Sequence, residues 1–151
     1  MESKMVADNE NVARAIFSPR MIINGEIQPE AFCLRPSIQE EYISVIRMAF
    51  PTWLDDVKII PQRKNRKLYG YAEMGVNGIR KIQLKGVVYD VKECASESVP
   101  SYAGIFITVN GENLVGGKIL STITPGIEQD FLILAIQREL VDIAQKGLHE
   151  L

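Results

Sequence analysis

The sequence predicts an α+β fold: a mixed, mainly antiparallel sheet of about five or six strands, with a C-terminal amphipathic helix packed across one face. Three observations carry this. Asn-Gly pairs at Asn24-Gly25, Asn77-Gly78 and Asn110-Gly111 punctuate the chain where two-residue turns would sit, because both central positions of such turns need positive φ. The segments between them are rich in β-branched and aromatic residues, which suit a pleated, half-buried surface. Near the end, Leu132, Ile133, Ile136, Leu140, Ile143 and Ala144 recur at helical spacing and form one apolar stripe that must cover the sheet.

In chain order, residues 1–11 read as a disordered tail, because no sustained apolar run stands between their charges, and 12–151 read as one domain. Residues 12–17 (VARAIF) predict a strand that ends at Ser18-Pro19, where the residue before proline is pushed out of helical space. Asn24-Gly25 predicts a hairpin, and a short helix ending at Gly25 is the competing reading. Residues 37–50 carry two signals. Ile38, Tyr42, Val45 and Ile46 repeat at helical spacing behind a Ser37/Glu40 capping box, yet Tyr42-Ile43-Ser44-Val45-Ile46 is strand-like in composition. The strand is preferred over 42–48. Thr52 then caps a short helix with Asp55 and Asp56 in its first turn, where the helix dipole favours negative charge.

Asn77-Gly78 predicts that the flanking strands, KLYGYAEMGV and IRKIQLKGVVYDV, pair with each other. A further strand follows at 102–109, left through Asn110-Gly111. The last helix is expected to start at Thr124 with Pro125 at its first position and to stop at Gly147, leaving His149 in a frayed end.

The bulk numbers narrow the function. At 151 residues the chain suits a single core. Lys and Arg number 17 against 19 Asp and Glu, so the net charge of −2 sets up no global field for nucleic acid or an anionic membrane. Cys33 and Cys94 sit far apart in apolar stretches and imply neither a disulfide framework nor a metal site. The first residues hold no apolar run for a secretory signal and no stretch approaches the ~20 residues of a membrane span, so a cytoplasmic location is expected.

Chemistry-bearing residues are few. His149 is the sole histidine, so Ser–His, Cys–His and zinc constellations have no readable form, and no metal or cofactor is called for. The stretch 109–118 has the glycines and the lysine of a phosphate-binding loop, but Glu112 falls on the required first glycine and Ile119 on the magnesium-binding hydroxyl, so a turn and loop explain it better. Arg63, Lys64, Arg66 and Lys67 form the one basic cluster, with Tyr69 and Tyr71 behind it to stack on bases. That pattern makes nucleic acid a lesser candidate partner beside a protein.

Arg14 on the first strand, Tyr42 and Ser44 on a later one, and Glu112 beside the glycine loop make the remaining constellation. Arg14, Ser44 and Glu112 resemble the Arg–Ser–Glu order of ADP-ribosyltransferases. The resemblance implies that Arg14 holds a dinucleotide's phosphates, Ser44 braces the nicotinamide ribose and Glu112 stabilises an oxocarbenium-like state. Glu73 or Glu97 can replace Glu112 in that reading. It requires Arg14, Ser44 and a carboxylate in one cleft, and it fails if Arg14 and Ser44 point to opposite faces of the sheet.

Arg14-Ala-Ile-Phe-Ser-Pro19, Pro29-Glu-Ala-Phe32 and Ser44-Val45 resemble an uncharacterised family of small bacterial proteins, one with no assigned activity. That family's later Ser-His-Ala element stands here as Ser101-Tyr102-Ala103. With no acid–base pair in view, the sequence favours a non-catalytic binding or accessory module of a bacterial intracellular system, with a concave site joining Arg14, Tyr42, Ser44 and Tyr102 as the place to look.

Overall fold

The computed structural model describes residues 6–60, 65–95, 99–117 and 126–151. Strand β1 (Asn11–Ser18) lies inside the sheet, and its alternation shows how both faces are covered. Val12 and Ile16 belong to the main core, whereas Ala13, Ala15 and Phe17 belong to a second, smaller one. A strand buried on both faces reads as a near-continuous apolar run, which accounts for VARAIF. β1 is followed by the hairpin of β2 (Ile22–Ile23) and β3 (Glu26–Ile27). Asn24 and Gly25 carry φ of 52° and 78°, the positive pair that a two-residue turn demands, so the helical alternative does not occur.

Two 3-10 turns, Pro29–Phe32 and Pro36–Ile38, lead into β4 (Ile43–Arg47). The ambiguous segment is therefore a strand, because Ile43 and Val45 fill the main core while Ile46 fills the second. The carboxylate expected to cap a helix is engaged elsewhere, since Glu40 accepts from the Arg35 main-chain N–H at 2.9 Å and from its guanidinium at 3.0 Å. Helix α1 (Trp53–Lys58) then lays Val57 on the second core, with Asp55 and Asp56 in its first turn. Thr52 stands at the N-cap but donates its hydroxyl to the Asp56 carboxylate, 3.0 Å away.

The expected hairpin at Asn77-Gly78 does not form. β5 (Lys67–Gly75) pairs with β1, β6 (Val87–Glu93) pairs with β7 (Tyr102–Val109), and Asn77 and Gly78 lie in a single helical turn, α2 (Val76–Arg80). Burial decides this. Val76 and Ile79, three residues apart, are both fully buried, and one helical turn places them on the same side. The orphan N–H groups at the start of that turn find the carbonyls of Glu10 (3.0 Å from Val76 N) and Asp8 (3.2 Å from Asn77 N).

Residues 6–11, the described part of the expected tail, are engaged with the fold. Val6 is buried in the main core, Asp8 pairs with Arg80, and Glu10 pairs with Arg47 at 2.8 Å. Of the charges in this segment, Asp8 and Glu10 are ion-pair partners of the fold.

β7 turns at Asn110-Gly111 into β8 (Glu112–Asn113). The predicted start of the last helix at Thr124-Pro125 lies outside the described residues. α3 (Gly126–Lys146) buries Ile136, Leu140 and Ala144 against the main core, with Leu132, Ile133 and Ile143 partly buried beside them. Buried Tyr89 donates its hydroxyl to the Ile136 carbonyl at 2.8 Å, pinning helix to sheet. Gln145 closes the far end through the Ile27 N–H (2.7 Å) and the Gly25 carbonyl (2.9 Å).

The chain then does something its composition does not announce. After Gly147, β9 (Leu148–Glu150) joins the edge of the sheet beside β5, and His149 stacks on Tyr71 with ring centroids 5.0 Å apart. A side chain at Gly147 would run into the Glu73 carbonyl, and one at Gly70 into that of His149, so two glycines permit this close approach. The resulting sheet runs β6-β7-β4-β1-β5-β9 with β8 against β7, and all of its pairings among the described residues are antiparallel. α3 covers one face and α1 part of the other. No helix among the described residues is long and apolar enough to cross a membrane.

Candidate functional site: a cleft where the sheet splits

β1 and β4 pair only at Val12↔Arg47 and Ala13↔Ile46. Beyond Ala13 the two strands part, each keeping its other neighbour: β1 stays on β5 through Ser18, and β4 stays on β7 from Ile43. The split opens a cleft of about 860 Å³. Its floor is Ala13, Ala15 and Ile46. Its walls bring Phe17, Arg20 and Met21 from the end of β1, Cys33, Arg35 and Glu40 from the segment before β4, Tyr102 from β7, and Ile60 and Arg66 from either end of the α1–β5 connection.

Arg14 makes the split tolerable. Its Nη1 donates to the Ser44 carbonyl of β4 at 2.8 Å and its Nε to the Ala31 carbonyl of the 29–32 turn at 3.0 Å, so one side chain ties β1 to both across the gap. Burial pulls this guanidinium down to about 10, because leaving water disfavours the charged form; nearby Glu40 opposes the shift, and Arg66 and Arg35 add to it by like-charge repulsion. Three cations therefore face one another within electrostatic reach, with one carboxylate among them.

Each of the others is held. Arg35 is paired with Glu40, whose own main-chain N–H bonds the Arg35 carbonyl at 3.1 Å, so the 35–40 loop closes on itself. The Arg66 guanidinium lies 3.9 Å over the Phe17 ring, a cation–π contact that places a basic residue at the mouth of an apolar pocket. Arg20 is exposed on the turn after β1. Cys33, at the edge of the cleft, has its thiol pushed up, chiefly by desolvation and then by Glu30 and Glu40, which keeps it protonated near neutral pH.

Of the four residues expected to share a concave site, Arg14, Ser44 and Tyr102 line this cleft and Tyr42 does not. Tyr42 lies across Gly104, tilted against Phe106 with centroids 5.0 Å apart. The ADP-ribosyltransferase arrangement does not assemble. Strand alternation places Arg14 with Val12 and Ile16, and Ser44 with Ile46, on opposite faces, so Arg14 meets the Ser44 carbonyl and not its hydroxyl. Glu112 sits on β8 beyond the far end of β7 and takes no part in the cleft. Glu73 accepts from Asn11 at 2.7 Å outside it, and Glu97 lies outside the described residues.

The basic cluster is dispersed in the same way. Arg66 turns into the cleft, Lys67 starts β5, and Arg63 and Lys64 lie outside the described residues. Tyr69 packs on the main core and Tyr71 on the second, where it meets Trp53 edge-on and His149 face-on, so both rings expected to stack on bases are engaged by the protein itself. Ser101, in the Ser-Tyr-Ala element, is fully buried and donates to the Asp56 carboxylate at 2.7 Å, tying α1 to the entry of β7.

Arg20 and Arg35 were not singled out by sequence, and Glu40 was read there only as a helix cap. Their signal is weak: each arginine stands beside a proline in a turn, with no periodicity to mark it. No cluster of His, Cys, Asp or Glu able to hold a metal occurs among the described residues. Compared with known protein families, curated proteins and solved structures, the chain matches none. The reading of the cleft therefore rests on its own chemistry.

Proposed function

We propose that the chain is a non-catalytic binding module for a small anionic ligand, seated in the β1–β4 cleft, and that it serves as an accessory component of a bacterial intracellular system. One observation carries the reading: Arg14, Arg20, Arg35 and Arg66 converge from four separate segments on a cleft whose floor is apolar. Pockets of roughly 300–1,000 Å³ with apolar linings and a few fixed polar groups are the usual form of small-molecule sites. Guanidinium groups are the side chains best shaped to grip carboxylate or phosphate oxygens. Support for a non-catalytic role comes from the lining, whose charged groups among the described residues are arginines and two glutamates, while the sole histidine is stacked on Tyr71 elsewhere. Two free thiols, Cys33 and Cys94, fit a reducing compartment. A protein partner that reads ligand occupancy belongs to the same proposal and would co-purify in stoichiometric amount.

The test is anion-dependent stabilisation. A ligand that binds only the folded state at about 100 times its Kd adds about 2.7 kcal/mol. The thermal midpoint is expected to rise saturably with such an anion, to fall back as salt is raised, and to respond less in Arg35→Gln. Amide resonances of Ala13, Ala15 and Ser44 that stay unmoved through a broad anion titration would sink the reading.

A further inference from the structure

We propose that the groove filled by residues 6–10 is a docking site for an extended acidic segment of a partner protein, with the chain's own N-terminal segment acting as its removable cover. The site lies at the paired end of β1 and β4, away from the cleft, and does not depend on the cleft's ligand. What the groove recognises is shown by what occupies it. Val6 is buried in the main core, and its N–H donates to the Val91 carbonyl at 3.3 Å. Two residues on, Asp8 pairs with Arg80, and two further on Glu10 takes two bonds from Arg47. The carbonyls of Asp8 and Glu10 accept from the main-chain N–H groups of Asn77 and Val76. An apolar residue followed at the second and fourth positions by carboxylates is therefore the pattern read, with main-chain bonds fixing its register.

The cover can leave because little behind it is orphaned. Arg80 also holds Asp90 at 2.9 Å, and Arg47 lies 3.9 Å from Glu93, so each guanidinium keeps a carboxylate when its partner in the segment departs. The Val91 carbonyl likewise keeps the Arg80 Nη2 as a donor at 2.9 Å. Stranding a desolvated cation is what makes such pairs costly to break, and that penalty is reduced here. Nor is the segment gripped along its length: Ala7, Asp8 and Asn9 are exposed, the Asp8 side chain to 70%. Both arginine side chains are only 18% exposed, so an incoming carboxylate meets oriented and partly desolvated donors. Tethering is the cover's main advantage. A segment joined to its groove competes at an effective concentration on the order of millimolar, which a partner overcomes by binding more tightly or once the cover is loosened.

The test uses the full chain and a dye-labelled peptide with the sequence of residues 6–11. In the double variant Asp8→Asn, Glu10→Gln, which weakens the cover and leaves the groove unaltered, the Val76 and Asn77 amides are expected to exchange with deuterium at least about tenfold faster while those of β7 stay protected. Fluorescence anisotropy should show the peptide binding this variant at least about tenfold tighter than wild type. A peptide whose own Asp and Glu are replaced by Asn and Gln should bind at least about tenfold more weakly, and Arg80→Gln in the double variant should cost as much. Unchanged exchange in the double variant makes the segment inseparable from the fold and overturns the proposal. So does equal binding to the variant and wild type, absence of binding to both, or a neutral peptide that binds as tightly. A concentration-dependent dimer of the wild type, dispersed in the double variant, assigns the groove to a second copy and overturns the external partner.

Discussion

Arg14 shows how much one side chain can decide. It is the only charged residue in an otherwise apolar strand, and its sequence context suggests either an edge-strand cation or a catalytic arginine. In the fold it stands on an interior strand and ties β1 to its surroundings, holding the carbonyls of Ser44 on β4 and Ala31 in the 29–32 turn. Arginine suits this because a planar fork reaches two acceptors at once, whereas a lysine ammonium is a single point. Arg14→Lys is therefore expected to keep the charge and lose one of the two bonds, at a cost of about 1.5–3 kcal/mol for a hydrogen bond from a charged group. Urea unfolding followed by fluorescence measures it, and a substitution without cost would show that the split does not depend on this clamp. Cys33, in the same cleft, illustrates the opposite case: its thiol is pushed up by desolvation, and a small half-buried residue explains its presence.

At the scale of elements, the Asn-Gly pairs show what a local signal is worth. Asn24-Gly25 and Asn110-Gly111 adopt the positive φ pair and make tight turns. Asn77-Gly78, the same dipeptide between strand-like segments, sits in α2 because Val76 and Ile79 on either side have a core to enter. The difference is testable with one methyl group. A Cβ at Gly78 meets no atom within 4 Å and the residue is helical, so Gly78→Ala should stabilise the fold by about 0.4–1 kcal/mol by reducing the freedom of the unfolded chain. A Cβ at Gly25 is equally unobstructed, yet the φ of 78° makes Gly25→Ala destabilising. Thermal midpoints that move the same way for both substitutions would contradict the helical assignment of α2.

Across the whole molecule, ion pairs fasten the N-terminal segment to the sheet. Glu10 receives two bonds from Arg47, at 3.0 and 2.8 Å, and Asp8 and Asp90 both pair with Arg80. The Arg47 hydrogen bond is the largest influence on the Glu10 carboxyl and holds it below its ordinary 4.5 against an opposing desolvation. Because the folded-state value is depressed, this stability is fully present above 4.5 and is lost as pH falls through the folded-state value. Glu10→Gln keeps the shape and removes the titration. The stability gap between wild type and Glu10→Gln should be widest near neutral pH and close on the acid side of 4.5. Denaturation midpoints taken across that range check it, and a gap independent of pH would remove the pair from the acid limb.

Much of this fold is decided locally. The strand at β1, the two tight turns, the strand at β4 and the long final helix follow from side-chain branching, positive-φ residues and an apolar stripe, all of which act within a few residues. What tertiary structure decided is pairing and proximity. Residues 6–10 are held in place because Val6 enters the core and Arg47 and Arg80 pair with the carboxylates of Glu10 and Asp8. Asn77-Gly78 is helical because two neighbours can be buried. β9 forms because Gly70 and Gly147 let backbones approach. The candidate site belongs wholly to this second class. Arg14, Ser44 and Tyr102 can be picked out as polar residues on strands, but the cleft exists because β1 and β4 part after two paired residues, and Arg20, Arg35 and Arg66 reach it from turns whose positions depend on that parting. A gap in a sheet is a property of how strands are shared among neighbours, and no stretch of sequence carries it alone.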